Sequence, residues 1–160
     1  MKRGTRLAFY LALSCIIVVV FASLYPFSGW RDPGVGTFSF LSAPLPKRLL
    51  MGDVLINLAG YMPLGFFLAQ ARIDRKAPVF FSLFCCSLIS LAMESTQTYL
   101  PERVASNLDW IANTAGGFAG ALLARRISGL PIVDIHLTRL KDSGLAGSQC
   151  FQTPRRGVLQ

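Results

Sequence analysis

Residues 7–30 read LAFYLALSCIIVVVFASLYPFSGW, a run with no charged residue, and this run decides the fold. A helix needs roughly 20 mostly apolar residues to cross the ~30 Å hydrocarbon core of a bilayer. Residues 54–71 and 77–93 are also uncharged and meet or approach that length. Residues 110–124 form a shorter run that spans only by borrowing Leu108 and Asp109. Of the 160 residues, 52% are hydrophobic and 15% charged, against about 25% charged in an ordinary soluble domain. Because the deficit is concentrated in four runs, a soluble domain is excluded. The expected fold is all-α, an integral membrane bundle of about four transmembrane helices.

The helices are expected at about 7–25, 52–71, 78–98 and 107–124. Pro26 and Pro101 punctuate two of them, since proline cannot continue the helical hydrogen-bond ladder. Pro63 falls in the middle of the second and is expected to kink it. The loop at 26–52 carries Pro26, Pro33, Pro44 and Pro46 with Gly29, Gly34 and Gly36, so its first half reads as turns. Trp30, Phe38 and Phe40 suit an interfacial aromatic belt. Two domains are expected: residues 1–126 as the transmembrane domain and 127–160 as a cytoplasmic tail, partly disordered, whose residues 131–141 suit a membrane surface.

The net charge is +8. Its basic residues sit in short clusters at helix ends and are not interleaved with aromatics, so nucleic-acid binding is not expected. With the N-terminus inside, twelve basic residues fall on the cytoplasmic side: Lys2, Arg3, Arg6, Arg72, Arg75, Lys76, Arg125, Arg126, Arg139, Lys141, Arg155 and Arg156. Only Arg31, Lys47, Arg48 and Arg103 fall outside. The positive-inside rule therefore predicts a multi-pass inner or plasma membrane protein with both termini cytoplasmic. The first run is longer than a signal-peptide core and reads as an uncleaved anchor, with cleavage as the alternative.

Cys15, Cys85, Cys86 and Cys150 match no metal or redox spacing. They read as small apolar packing residues, with no disulfide. His136 reads as a solvated surface residue. No metal, organic cofactor or catalytic residue is expected.

Intramembrane polar residues are costly and each needs a reason. Asp53 and Asn57 lie four apart on the second helix, and Asp109 and Asn113 four apart on the fourth. Ser87, Ser90, Glu94 and Gln97 form one stripe on the third. Alternating helix direction brings Asn57, Glu94, Gln97, Asp109 and Asn113 to one depth, within roughly 10 Å of the outer boundary at ~1.5 Å rise per residue. Arg103 lies in the loop beside them, placed to balance Glu94 and Asp109 or to hold a phosphate or carboxylate. The functional reading is an outward-facing polar pocket; the plainer one is that these groups bond to one another and hold the bundle together.

The fourth helix repeats Ala112, Gly116, Gly120 and Ala124 every four residues. Its GxxxG pair lets another helix approach closely, either inside the monomer or in a homo-oligomer.

Asn57 followed by Pro63-Leu64-Gly65, then Glu94-x-x-Gln97, then Arg103 and Asp109-x-x-x-Asn113-x-x-Gly116-x-x-x-Gly120 form an ordered set. It resembles the VanZ-like family, named after the teicoplanin resistance protein VanZ, over about residues 45–124. The resemblance implies a small multi-helix membrane protein of the cell envelope and a link to antibiotic susceptibility.

Three functions fit, in this order. The first is a non-enzymatic membrane protein binding membrane lipids, a lipid-linked envelope precursor or a lipoglycopeptide at the outer pocket. The second is a scaffold or assembly partner using the small-residue face of the fourth helix. The third is a membrane enzyme with Glu94 and Asp109 as an acid–base pair. Neither HExxH nor GxSxG is present, so enzymatic activity is not favoured.

Overall fold

A computed structural model describes residues 3–45, 51–73 and 75–128. Four long helices follow one another: α1 (Arg3–Leu24), α2 (Met51–Ala71), α3 (Pro78–Gln97) and α4 (Asn107–Ser128), with a short 3-10 turn at Ser39–Ser42 between the first two. Among the described residues there is no strand. Helices α1, α2 and α3 are long and apolar enough to cross a membrane. The more polar α4 matches them in length, at 22 residues. Pro46, Lys47, Arg48, His136, Cys150 and the expected tail from residue 129 onward lie outside the described residues.

The elements begin and end where local chemistry dictates. Pro78 occupies the first turn of α3, where its missing N–H is no loss, and Ala77 before it adopts a left-handed φ of 51°. Helix α2 runs unbroken through Pro63. Helix α4 continues past Ala124 to Ser128, which carries Arg125 and Arg126 into its last turn, where positive charge complements the helix dipole.

The packing is inverted relative to a water-soluble bundle. Leu7, Ile17, Phe21, Phe80, Phe84, Ile111 and Phe118 point outward, whereas Ser82, Ser90, Glu94 and Asn113 are buried. With hydrocarbon as the solvent, outward apolar side chains cost nothing, and helices associate through close packing and internal polar bonds. One apolar cluster joins α1, α2 and α3 through Ala12, Val19, Tyr61, Leu64 and Cys86. A second, at the other end of α2, holds Ala69, Val79, Ala121 and Ala124.

Glycines set the approach of α2 and α4. A Cβ at Gly65 would meet the backbone of Gly117, one at Gly116 the backbone of Leu58, and one at Gly120 the carbonyl of Met62. The small-residue face of α4 is thus consumed inside the chain. Of the two uses open to this face, packing inside the monomer is the one these contacts describe.

The segment between α1 and α2 has the expected turns, with positive φ at Gly29 and Gly34, and it also docks. Arg31 N–H donates to the Tyr99 carbonyl at 3.1 Å, Thr37 and Tyr99 hydroxyls pair at 2.6 Å, and Asn107 Nδ2 donates to the Ala43 carbonyl at 2.7 Å. Of the three aromatics expected at an interface, Trp30 and Phe38 are exposed and Phe40 is buried. Cys15, Cys85 and Cys86 are free thiols.

Candidate functional site

Chain direction brings four helix ends together: the C-termini of α1 and α3 and the N-termini of α2 and α4. Between them lies a cleft of about 410 Å³. All six side chains singled out in the sequence line it: Asn57 from α2, Glu94 and Gln97 from α3, Arg103 from the α3–α4 connection, and Asp109 and Asn113 from α4. Val18, Val19 and Ala22 of α1 and Ile56 of α2 supply an apolar wall.

The polar stripe on α3 is partly spent on holding neighbours. Glu94 Oε2 accepts the backbone N–H of Ser106 at 2.8 Å. Ser106 is the residue before α4, and its Oγ in turn accepts the Asp109 N–H at 3.4 Å. A carboxylate and a serine therefore satisfy orphan donors at the start of a helix. Ser90 Oγ accepts from Asn113 Nδ2 at 3.0 Å, the Ser87 carbonyl accepts from Trp110 Nε1 at 3.2 Å, and Gln97 Nε2 donates to the Ser23 carbonyl of α1 at 2.9 Å. On α2 and α3, Ser82 Oγ donates to the Gly65 carbonyl at 2.7 Å.

Arg103, read from the sequence as balancing Glu94 and Asp109 or holding a phosphate or carboxylate, is hydrogen-bonded to the end of α1. Its Nε donates to the Tyr25 carbonyl at 3.2 Å. Its Nη2 donates to the carbonyls of Ala22 and Tyr25, each at 3.0 Å. A guanidinium fork thereby closes the C-terminal end of α1, whose last carbonyls lack helical partners and carry the negative end of the dipole.

The remaining groups are less committed. Asn57 lies beside the Asp109 carboxyl, and Asp53 is near enough for its charge to act there. Asn113 is 4% exposed, and its Oδ1 has no hydrogen-bond partner. Tyr61 is also 4% exposed; its hydroxyl lies near Ser90 but makes no hydrogen bond of regular geometry. A buried polar atom left unpaired costs about 1–3 kcal/mol, so two of them on one wall mark a place where a partner is wanted.

Tyr61 and Ser106 are absent from the sequence-based set. Tyr61 lies four residues after Asn57 on the same helix face, and Ser106 with Asp109 reads as a Ser-x-x-Asp cap before a helix. Both signals are legible in the sequence. Val18 and Val19 carry none, because nothing polar distinguishes them from the rest of α1.

Apolar-faced helices long enough to span, around a polar cleft at one end, define a small multi-pass membrane protein. A VanZ/LLP1 family model matches residues 7–128. The chain belongs to the VanZ/LLP1 family, and the match takes in α1 as well as the 45–124 region that carries the motifs. No curated protein and no solved structure matches the chain.

Proposed function

We propose that this protein holds the polar headgroup of a membrane amphiphile in the cleft between its four helix ends. The amphiphile classes that suit it are a lipid-linked envelope precursor or a lipoglycopeptide. The role is binding rather than catalysis. The carrying observation is that Asn57, Glu94, Gln97, Arg103, Asp109 and Asn113 line one cleft that also has an apolar wall. A headgroup needs polar partners and a chain needs apolar surface, and ligand sites combine the two in this way. The excess of basic residues around Arg6, Arg72, Arg75, Lys76, Arg125 and Arg126, at the end opposite the cleft, supports a plasma-membrane orientation with both termini cytoplasmic and the cleft facing out.

The test is native mass spectrometry of the protein purified in mild detergent, comparing wild type with Glu94→Gln/Asp109→Asn. A specific lipid retained by wild type and lost from the folded double variant is the expected result. No specific lipid in either protein would refute the reading.

A further inference from the structure

We propose that the headgroup this cleft selects is cationic, an amine, ammonium or guanidinium carried by the amphiphile. The inference rests on the cleft being a ligand site and concerns what that site prefers.

Charge is the first observation. Glu94, Glu102 and Asp109 line the cleft, against Arg103 as its one lining cation among the described residues. Two of the nitrogens of Arg103 are already turned to the Ala22 and Tyr25 carbonyls. An anionic headgroup would meet three carboxyl groups and a guanidinium that is spoken for. Charges near the membrane interior are retained when they are paired; here three acids share one lining cation, whose hydrogen bonds go to the Ala22 and Tyr25 carbonyls.

The second observation is independent of charge. Asn113 is buried, its Nδ2 is engaged by Ser90, and its Oδ1 is unpartnered. What is missing on that wall is a donor. The Tyr61 hydroxyl, likewise buried and without a regular partner, can accept as well. An ammonium or guanidinium carries donors and no acceptor, which is the complement of such a wall.

The spread of the acids selects an organic cation over an inorganic one. Among the described residues, no three His, Cys, Asp or Glu side chains converge closely enough to hold a metal ion. Acids dispersed around about 410 Å³ suit a cation whose N–H groups point in several directions and whose chain continues along Val18, Val19 and Ile56.

The experiment titrates the full chain, in a neutral glycoside detergent, with three amphiphiles of one chain length: dodecylammonium, dodecyl phosphate and dodecanol. Tryptophan fluorescence and native mass spectrometry read binding. Wild type is expected to bind dodecylammonium about tenfold or more tightly than dodecyl phosphate, in line with electrostatic discrimination. Asp109→Asn should erase most of that preference. Glu102→Gln, in the exposed connection, should reduce it and serves if Asp109→Asn fails to fold. A preference for the phosphate would overturn the cationic headgroup while leaving the cleft a ligand site. Ammonium binding unchanged in both variants would also overturn it. Failure of all three amphiphiles to bind would overturn this inference and the ligand-site reading together.

Discussion

The Glu94 carboxylate, buried on α3, accepts the backbone N–H of Ser106 at 2.8 Å and so fastens the start of α4 to the end of α3. The intramembrane acid that most resembles a functional group is therefore also a structural one. Oε2 takes the helix cap, while the side chain as a whole lines the cleft.

That division makes Glu94 separable by substitution. Glu94→Gln keeps an acceptor for Ser106 and should fold with little loss. Glu94→Leu leaves the Ser106 N–H unpaired and should cost about 1–3 kcal/mol. Thermal unfolding in detergent distinguishes them; equal stability of the Gln and Leu variants would contradict the capping role.

The glycines of the second and fourth helices should respond in opposite ways. A Cβ at Gly120 would meet the Met62 carbonyl and atoms of Phe66, whereas one at Gly60 meets nothing within 4 Å. Gly120→Ala should destabilise the fold severely, because backbone cannot move aside as a flexible side chain can. Gly60→Ala should be neutral or stabilising by about 0.5–1 kcal/mol, since alanine loses less backbone freedom in a helix. Because α2 already fills the face of α4, the Gly120 variant should fail by unfolding, not by shedding a partner. A well-folded Gly120→Ala chain with an altered oligomeric state would argue for the assembly role instead.

Orientation is accessible by labelling. In a cysteine-free background, Ser28→Cys on the cleft side should react with a membrane-impermeant maleimide added outside intact cells. Arg75→Cys, between α2 and α3, should react only after the membrane is opened. The reverse pattern would place the cleft on the cytoplasmic side.

Much of the architecture was legible because a bilayer imposes simple rules. A helix must be about 20 residues long to cross, so uncharged runs reveal themselves, and the observed α2 and α3 begin and end within about one residue of their expected bounds. The ends of α1 and α4 were harder to read: α1 begins at Arg3 and α4 runs on to Ser128, and Arg6, Arg125 and Arg126 are helical because long basic side chains reach the aqueous boundary from within a helix. The docking of Arg31, Thr37 and Ala43 was not legible, since a Pro- and Gly-rich segment has no periodic pattern from which to infer its partners.

The sequence alone determined that the chain is a helical membrane protein, and that the polar residues of three helices lie at a common depth. Both follow from length, period and alternating direction. Only the tertiary structure decided what those residues do there. It committed Gln97 and Arg103 to the end of α1, and Glu94 to the start of α4. It left Asn113 Oδ1 and the Tyr61 hydroxyl unpartnered in the cleft wall. The reason is that depth is one coordinate, which helix length supplies, whereas a hydrogen bond needs three. Here the other two are set by how closely Gly65, Gly116 and Gly120 let α2 and α4 approach.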